Sequence, residues 1–436
     1  MKTRIGIRRE DKNPYERRVP LTPAHVGELM REFSVDVWMQ PSDIRIFPDR
    51  DYLAVGARIE EDLSSCSVVF AVKEIPVNFF HPGKTYVFFS HTVKGQPYNM
   101  PMLKKMMDLG CTLIDYEKVA DESGQRLVFF GRQAGLAGMI DTLWAFGERL
   151  KRQGIANPFM ELRLSHQYKN LEEAMESVIN AGKKIAEAGL DPSFVPLIIG
   201  FAGYGRVSLG AQEIFDLLPY EEITPEDMES FVQERKYGRD KVYKVIFKEE
   251  HMVEPLSSSK KFELQEYYDH PERYRSIFDR HIPFLTILVN CIYWTPRFPH
   301  FVTKKFLGKL WEGQKTPRLT VIGDISCDVE GAIEITSHAT NPGNPVYVYD
   351  PAGNKESKGL EGRGVVVMAT DNLPAELSLE SSLFFSEALT PFVPDIALAD
   401  YSGTFEECEL PDPIKKAVIL YRGKFTPAYG YMKEYV

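Results

Sequence analysis

The feature that most restricts the fold of this chain is an apolar strand that runs directly into a glycine-rich loop. Residues Val195–Ile199 form the apolar run, Gly200–Gly205 form the loop, and a helical pattern follows over Ala211–Leu217. Glycines in this position let the backbone approach a phosphate at the amino end of the following helix. The strand, loop and helix therefore predict one unit of a dinucleotide-binding domain.

The loop residues expected to bind a cofactor are Gly203, Gly205, Arg206, Val207 and Ser208. Ser208 replaces the third glycine of the usual pattern, and Gly210 and Ala211 supply small side chains where the helix packs closely on the sheet. Any turn between a strand and a helix can hold two glycines, so the prediction depends on the buried strand before the loop. The acid that binds a ribose hydroxyl about 20 residues later is Glu221 or Glu222, which leaves NAD and NADP open.

Short β-rich runs alternate with helical stretches along the whole chain. The spacing predicts an α/β fold with largely parallel sheets in two domains. Before residue 137 the runs are Thr3–Arg8, Val35–Met39, Val68–Val72, Tyr86–Phe89 and Cys111–Ile114. After the glycine loop they are Val242–Phe247, Leu285–Val289, Leu319–Ile322, Val346–Tyr349 and Val365–Met368.

Four segments add detail to this pattern. Thr22 followed by Pro23 predicts the start of the first helix. Apolar residues at helical spacing over 138–150 predict a long amphipathic helix that bridges the two domains. Residues Glu226–Arg280 are longer than a plain crossover requires and are expected to form an insertion, and Gly353–Gly364 is expected to be a polar linker.

The chain of 436 residues has a formal net charge of −10, which disfavours nucleic-acid binding through a basic surface. No apolar run reaches the about 18 residues that a membrane helix needs, and the amino terminus lacks the apolar stretch of a signal peptide, so a cytoplasmic location is expected. The five cysteines lie far apart, and no histidines have metal-ligand spacing. Neither disulfides nor a bound metal are predicted.

Ionisable residues follow three of the β-rich runs. Lys73 follows the run Val68–Val72, and His91 follows Tyr86–Phe89. Asp115 and Glu117 follow Cys111–Ile114. The carboxyl ends of parallel strands open onto a ligand crevice, so these side chains are expected to converge. A lysine whose pKa is lowered by burial and a histidine that titrates near neutrality can move protons in carbonyl and amine chemistry. One polar residue after a strand is more often without function, but three neighbouring ones favour a site.

Three cations flank the same predicted crevice. Arg18 precedes the first helix, where a guanidinium can clamp a substrate carboxylate through two hydrogen bonds. Lys94 and Arg126 add positive charge. Each of them alone is typical of a solvated cation, but their grouping in a chain of net charge −10 indicates an anionic substrate.

Motifs along nearly the whole chain resemble one enzyme family. Those that look like the amino-terminal half of saccharopine-pathway dehydrogenases, relatives of alanine dehydrogenase, are Arg8-Arg-Glu-Asp11, Glu16-Arg-Arg18, Ala71-Val-Lys-Glu-Ile-Pro76, Phe88-Phe-Ser-His-Thr-Val-Lys94 and Ile114-Asp-Tyr-Glu117. Those similar to the lysine-ketoglutarate reductase domain of bifunctional aminoadipic semialdehyde synthase are Gly135-Leu-Ala-Gly-Met-Ile140, Gly205-Arg-Val-Ser-Leu-Gly-Ala-Gln-Glu-Ile-Phe215, His270-Pro-Glu-Arg-Tyr274, Asn290-Cys-Ile-Tyr-Trp294, Asp324-Ile-Ser326 and Asp371-Asn-Leu-Pro-Ala375.

The resemblance implies an oxidoreductase of lysine metabolism that condenses L-lysine with 2-oxoglutarate and reversibly reduces the imine to saccharopine. It implies that Lys73 and His91 carry the acid and base roles, without assigning one step to either. It also adds Asp324 to the cofactor residues. The residues expected to bind substrate or to tune the catalytic pair are Arg18, Glu74, Lys94, Glu117, Arg126 and Asp371.

The resemblance favours NADP(H) over NAD(H), because the reductase domain normally uses NADPH and the segment around His270–Tyr274 is similar to it. The short fungal enzyme uses NAD(H) instead. Two departures are similar to that short enzyme: Arg206 stands where reductase domains usually have Asn, and Glu74 follows Lys73 where they often have Arg. These departures weaken the inference about the cofactor.

The family has two Rossmann-like domains with a cleft between them. The expected boundaries are 1–137 with 372–436 for the substrate domain, and 138–371 for the NAD(P)-binding domain with an insertion at about 226–280. No residues remain for the saccharopine dehydrogenase half of the bifunctional enzyme, so we expect a stand-alone reductase or a separate, glutamate-forming saccharopine dehydrogenase as partner. The other expected partners are lysine, 2-oxoglutarate and saccharopine, with no nucleic acid or membrane and with a homo-oligomer left open.

Two alternative functions are compatible with the same two-domain fold. An amino-acid dehydrogenase of the alanine type would take ammonia and a small keto acid, and the longer insertion argues against it. A non-catalytic NAD(P)-sensing module would need only the glycine loop, and the presence of both Lys73 and His91 disfavours it.

Overall fold

The structure, a computed structural model, describes residues 2–313 and 317–436. The chain divides into two compact units, a first unit of Met1–Phe129 with Ser378–Val436 and a second unit of Phe130–Leu377. Each unit contains one eight-stranded and mostly parallel sheet. The alternation of strands and helices thus predicts the fold class correctly, with two Rossmann-like units.

The first unit begins with six parallel strands and three helices. The predicted start of the first helix is confirmed, because Pro23 is its first residue and the Thr22 hydroxyl accepts a hydrogen bond from the backbone N–H of His25. The strands are β1 (Thr3–Ile7), β2 (Val35–Met39), β3 (Arg58–Ile59), β4 (Val68–Phe70), β5 (Thr85–Phe88) and β6 (Thr112–Asp115), and the helices are α1 (Pro23–Glu32), α2 (Asp49–Ala54) and α3 (Met100–Asp108).

The second unit has a central parallel sheet flanked by helices. Its sheet order is β15-β14-β16-β13-β12-β7-β9-β8, with β14 and β15 antiparallel to the rest, and β10 pairs only with β11. The helices are α4 (Gly131–Arg152), α5 (Leu171–Ala188), α6 (Arg206–Phe215), α7 (Met228–Gln233), α8 (Glu249–Met252), α9 (Leu264–Asp269) and α10 (Lys304–Gly313). The strands are β7 (Ile198–Ala202), β8 (Tyr220–Glu222), β9 (Val242–Phe247), β10 (Val253–Pro255), β11 (Tyr274–Ser276), β12 (Ile287–Asn290), β13 (Val321–Asp324), β14 (Val346–Asp350), β15 (Lys355–Lys358) and β16 (Val365–Met368).

Helix α4 corrects the expectation of an amphipathic bridge. It begins at Gly131 and lies wholly in the second unit, with most of its residues buried. Its backbone touches that of α6: a Cβ built on Gly135 would lie 2.0 Å from the carbonyl oxygen of Val207, and one on Gly210 would lie 2.3 Å from that of Arg132. The small residue at 210 therefore serves packing against α4 and not, as expected, against the sheet.

Two loop predictions in the second unit were also wrong in part. The presumed insertion over Glu226–Arg280 contains β9, which pairs with β7 along its full length. The part outside the main sheet is the segment after β9, which carries the small β10–β11 pair. The presumed linker Gly353–Gly364 contains β15, whose residues are exposed and pair with β14.

The carboxy-terminal segment completes the first unit. Its strand β17 pairs antiparallel with β6, so the first sheet has the order β18-β17-β6-β5-β4-β1-β2-β3. The segment consists of α11 (Ser378–Leu389), α12 (Val393–Leu398), α13 (Asp412–Lys416), β17 (Val418–Tyr421) and β18 (Lys424–Phe425).

Candidate active site

Ionisable residues lie at or shortly after the ends of three neighbouring strands of the first sheet. β4, β5 and β6 pair in parallel in that order, so Lys73, His91 and Asp115 lie at the same edge. The sequence pattern predicts this adjacency correctly. The carboxyl edge of a parallel sheet is where ligands bind in such folds.

A hydrogen-bonded chain of three side chains forms at this edge. The Nδ1 atom of His91 lies 2.7 Å from Oε1 of Glu74, and Nζ of Lys12 donates to Oε2 of the same carboxylate at 2.8 Å. Burial alone would raise the pKa of Glu74, but the hydrogen bond and charge of His91, with the hydrogen bond from Lys12, lower it below its ordinary value. Glu74 therefore stays ionised and orients the imidazole, which leaves Nε2 as the ring nitrogen for a substrate.

The backbone of His91 is held in an unusual conformation. Its φ angle is +47°, in the left-handed region that a non-glycine residue seldom adopts. The amide of Asn99 donates to the carbonyl oxygens of Ser90 and His91, each at 3.0 Å. This bracing fixes the imidazole position beyond the last residue of β5.

Lys73 is partly buried next to this chain. Burial lowers its pKa, and the positive charge of Arg18 lowers it further, against the opposing effects of Glu16 and Glu74. A lysine in this state is more readily deprotonated near neutral pH and can accept a proton. The sequence expectation of a lysine with a depressed pKa is thus met in direction.

Arg18 is already paired. Its Nε and Nη2 atoms donate to the two carboxylate oxygens of Glu16, each at 2.7 Å, and both side chains are buried. A substrate carboxylate that accepts two hydrogen bonds from Nε and Nη2 of Arg18 would have to displace Glu16. The positive charge of Arg18 lowers the pKa of Lys73 while Arg18 stays paired with Glu16.

Sequence reasoning gave no role to Glu10, Lys12 and Glu16, although Glu10 and Glu16 lie within quoted motifs. Glu10 accepts hydrogen bonds from the backbone N–H groups of Val72 at 2.7 Å and Lys73 at 3.0 Å, so it fixes the strand end that carries Lys73. Burial and the nearby Glu16 raise its pKa to about 7. A cavity of about 620 Å³ opens beside these residues, and its lining includes Arg9, Glu10, Lys12, Asn13, Pro41 and Ser42.

Other expected residues are not members of the hydrogen-bonded chain of His91, Glu74 and Lys12. Asp115 is fully buried and accepts hydrogen bonds from the backbone N–H groups of Ser90 at 3.2 Å and Glu117 at 2.8 Å, so it organises the turn after β6. The Glu117 carboxylate faces Arg126 at 3.9 Å. Lys94 is exposed, and the structure does not bring it to Lys73 or His91 by any hydrogen bond.

The second unit carries the glycine loop at the carboxyl end of β7. Gly203 has a φ angle of +94°, and a Cβ there would lie 2.9 Å from Ile292. Gly205 precedes the first residue of α6 with no side-chain cap, and a Cβ built on it meets no atom within 4 Å. The helix thus presents uncapped backbone N–H groups to open space, which fits the pyrophosphate of a dinucleotide.

Residues after Gly205 face different ways. Arg206 is exposed at the first position of α6. Ser208 is fully buried and accepts a hydrogen bond from Gln212 at 2.9 Å, and the Val207 carbonyl faces Gly135. The loop thus offers a ligand its backbone and Arg206, while Ser208 and Val207 support the packing of α6.

Asp324 ends β13 beside the end of β12. Asn290 donates to its Oδ1 at 2.8 Å, and Thr336 donates to its Oδ2 at 2.6 Å. Burial raises the pKa of Asp324 to about 6, against these hydrogen bonds. Asp371, which follows β16 in the same unit, is exposed.

The acid nearest the glycine loop differs from the one expected. Glu221 and Glu222 lie on the exposed edge strand β8, two strands from β7, so they are not the residues sought. The strand beside β7 is β9, and Glu249 follows its end. The Tyr268 hydroxyl donates to Glu249 at 2.6 Å, and the Tyr204 hydroxyl of the loop interacts with the same carboxylate.

The described residues hold neither a candidate metal centre nor a candidate membrane-spanning helix. Within 2–313 and 317–436, no three or more His, Cys, Asp or Glu side chains are arranged to hold a metal ion. Among the helices of those residues, none has both the length and the apolar character needed to cross a bilayer.

Two sequence profiles match this chain. They are the N-terminal domain of alanine dehydrogenase/PNT, over residues 6–137, and the C-terminal domain of alanine dehydrogenase/PNT, over residues 276–428. The L-alanine dehydrogenase structure aligns with a TM-score of 0.63 at 18% identity and covers all of both chains. The transhydrogenase of Sinorhizobium meliloti aligns with a TM-score of 0.57 at 16% identity, over 97% of this chain and all of that one. These structural likenesses concern the fold.

Curated relatives are more similar in sequence. Alpha-aminoadipic semialdehyde synthase of Arabidopsis thaliana is 38% identical over 98% of this chain and 41% of its own length. The mitochondrial protein of that name from Bos taurus is 35% identical over 99% of this chain and 47% of its own length. This chain thus spans less than half of those relatives. Saccharopine dehydrogenase [NAD(+), L-lysine-forming] of Emericella nidulans is 29% identical over 89% of this chain and 90% of its own.

Proposed function

Because this chain belongs to the alanine dehydrogenase/PNT family and is similar to saccharopine dehydrogenases, we propose that it is an oxidoreductase that joins L-lysine to 2-oxoglutarate and reduces the resulting imine to saccharopine. The observation that carries the proposal is the edge where Lys73 lies beside the hydrogen-bonded chain of His91, Glu74 and Lys12. Imine formation needs several proton transfers, and this edge holds two groups suited to them.

The proposed chemistry starts with attack of the neutral ε-amine of the substrate lysine on the ketone of 2-oxoglutarate. Lys73 and His91 then move protons as the carbinolamine forms and loses water. Glu74 holds the imidazole through Nδ1, so that Nε2 exchanges the proton. The nicotinamide cofactor, when bound, supplies the hydride that reduces the imine. Arg18 keeps the pKa of Lys73 low and is the candidate partner for a glutarate carboxylate.

We propose that the cofactor is NADP(H), held by the glycine loop. Two exposed cations beside the loop, Arg206 and Lys248, are available to a 2′-phosphate. Glu249 opposes this choice, because a carboxylate near the ribose favours a 2′-hydroxyl. The tyrosine hydroxyls that bind Glu249 stabilise its charge and hold it in one place.

Initial-rate assays test the proposal. The purified protein is offered lysine with 2-oxoglutarate, or ammonia with pyruvate, each with NADPH and with NADH. We expect turnover with the first pair and a larger kcat/KM with NADPH. Turnover with ammonia and pyruvate alone would indicate an alanine-type dehydrogenase instead, and cofactor binding without turnover on either pair would indicate a sensing module.

A further inference from the structure

One buried arginine of the described chain lacks the partner that the others have. Arg8, Arg18 and Arg45 are buried, and each contacts the carboxylate of an aspartate or glutamate. Arg149 is equally buried, at 6% exposure, and no carboxylate of the described residues lies within ion-pair distance of it. A buried guanidinium without a counter-charge is costly, because burial removes its hydration.

The hydrogen bonds of Arg149 explain its position but do not balance its charge. Nη1 donates to the carbonyl of Leu360 and Nη2 donates to that of Gly362 at 2.6 Å, while the buried Nε has no hydrogen-bond partner. Arg149 also lies in the last turn of α4, where the helix end contributes a partial negative charge of about one half. About half of the positive charge is therefore left for another group.

Two further arginines line the same cavity, which has a volume of about 500 Å³. Arg318 donates through Nη2 to the carbonyl of Pro196 at 2.7 Å, and its buried Nε also lacks a partner. Arg363 is exposed and donates to the carbonyl of Trp311 at 3.2 Å. We call this space the arginine cavity.

The arginine cavity lies on the edge of the second sheet opposite to the glycine loop. Its lining includes Thr286, Thr320 and Gly364, which directly precede β12, β13 and β16. The glycine loop instead follows the carboxyl end of β7. A ligand in this cavity therefore occupies a place separate from the cofactor loop.

The lining combines positive charge with an apolar floor. None of the described lining residues is acidic, and the nearby Glu361 is outside the lining and paired with Arg152 at 2.8 Å. Guanidinium groups stay protonated at all physiological pH values and match the geometry of carboxylate and phosphate oxygens. The apolar side chains of the floor are those of Leu150, Ile155, Phe194, Trp311 and Leu319.

We propose that the arginine cavity binds a small organic anion, whose carboxylate or phosphate oxygens accept hydrogen bonds from the three arginines and whose apolar body packs on the floor. The proposal does not depend on the proposed function, because it concerns a different edge of the second sheet and needs no turnover.

Isothermal titration calorimetry tests the proposal with three probes of one shape. Phenylacetate and phenyl phosphate carry the two candidate anionic groups, and 2-phenylethanol is their neutral counterpart. We expect the wild-type protein to bind at least one anionic probe and not the neutral one, and the better of the two identifies the anionic group. Saturating NADPH should leave this binding unchanged. Equal binding of the neutral probe, or competition by NADPH, would overturn the proposal.

Substitutions locate the bound probe. Arg318→Gln and Arg363→Gln should each weaken anion binding about tenfold, because each removes a charge-assisted hydrogen bond. Arg275→Gln is the matched control, since Arg275 is exposed and paired with Glu254 in the β10–β11 pair. The midpoint of thermal unfolding without probe verifies that the variants fold. Unchanged affinity in both folded cavity variants, or an equal loss in Arg275→Gln, would refute the proposal.

Discussion

At the scale of single residues, one carboxylate links the two ends of the hydrogen-bonded chain at the edge of the first sheet. Glu74 contacts both His91 and Lys12 and is held ionised by them. Lys73, its neighbour in sequence, takes its character from burial and from Arg18. The pKa of Lys73 is therefore sensitive to the charges of the residues around it.

Removal of either proposed proton carrier should lower turnover. We expect Lys73→Met and His91→Gln each to reduce kcat by about 10²-fold or more, and the double variant to lose less than the product of the two single losses, because the two residues act on one substrate as a unit. Steady-state kinetics with lysine and 2-oxoglutarate measures this. Lys104→Met, a change on the exposed face of α3, is the control. Full activity in Lys73→Met would remove the proposed pair.

The pH profile should respond in opposite directions to the two members of the Arg18–Glu16 pair. Arg18 lowers the pKa of Lys73 and Glu16 raises it. Arg18→Gln should therefore move the acid limb of the kcat/KM profile to higher pH, and Glu16→Gln should move it to lower pH. Profiles from pH 5 to 10 for both variants decide this. Shifts of the same sign would show that Lys73 does not set this limb.

Cofactor choice should depend on Glu249. Its negative charge repels a 2′-phosphate, so Glu249→Gln should raise the ratio of kcat/KM for NADPH to that for NADH. Arg206→Gln should lower the same ratio. Glu221→Gln, on the edge strand β8, is the control and should leave it unchanged. If Glu221→Gln changed this ratio as much as Glu249→Gln does, the acid that faces the ribose would lie on β8 instead.

At the scale of elements, the glycine before α6 and the glycine within it are required for different reasons. A Cβ at Gly205 enters open space in front of the helix, whereas a Cβ at Gly210 meets the backbone of α4. The same substitution should therefore have separate effects at the two positions. Gly205→Val should fold and lose cofactor affinity, and Gly210→Val should unfold.

Fluorescence titration with NADPH and thermal unfolding measure the two effects. Leu209→Val, an exposed change between the two glycines, is the control for both. An unchanged cofactor dissociation constant in folded Gly205→Val would show that the glycine loop was misread.

Element types were predictable where residues carry a periodic apolar pattern, as in β7 and β9. Their order in the sheet was not, because strand pairing is set by tertiary contacts between distant segments. The place of β9 beside β7 moved the candidate ribose acid from Glu221 to Glu249. The sequence pattern did not predict β15, because all four of its residues are exposed and polar. Its pairing with β14 is what makes it a strand.

The candidate site was predictable to a similar degree. Lys73 and His91 follow apolar strands, and that local signal identified them. The pairing of Arg18 with Glu16 and the contact of Lys12 with Glu74 depend on side-chain directions that no spacing rule supplies. Charge pairs between side chains are thus the part of the site that sequence alone leaves undetermined.

At the scale of the whole molecule, buried carboxyl groups in both units should make stability depend on pH. Burial raises the pKa of Glu10 and of Glu376 to about 7 each. Between about pH 4.3 and pH 7, these two carboxyl groups are therefore protonated in the folded state and ionised in the unfolded chain. The stability that these protons contribute is complete below about pH 4.3 and is lost as the pH rises through 7, by at most about 4 kcal/mol per group.

Urea unfolding at pH 5 and pH 8 measures this dependence. The wild-type midpoint should be lower at pH 8, and Glu376→Gln should reduce the difference between the two values. Glu187→Gln, at an exposed position of α5, should not change it. A midpoint difference that Glu376→Gln leaves intact would exclude Glu376 as a source.

The antiparallel pairing of β17 with β6 bears on how the protein forms during synthesis. The ribosome makes β6 about 300 residues before β17, and the whole second unit lies between them. The second unit has all its strands available before β17 leaves the ribosome, so it can fold first. Until β17 emerges, β6 is a nascent sheet edge with unpaired backbone groups, the kind of surface that chaperones shield. Delays in translating the segment that contains β17 would prolong this state and should favour aggregation of the nascent chain.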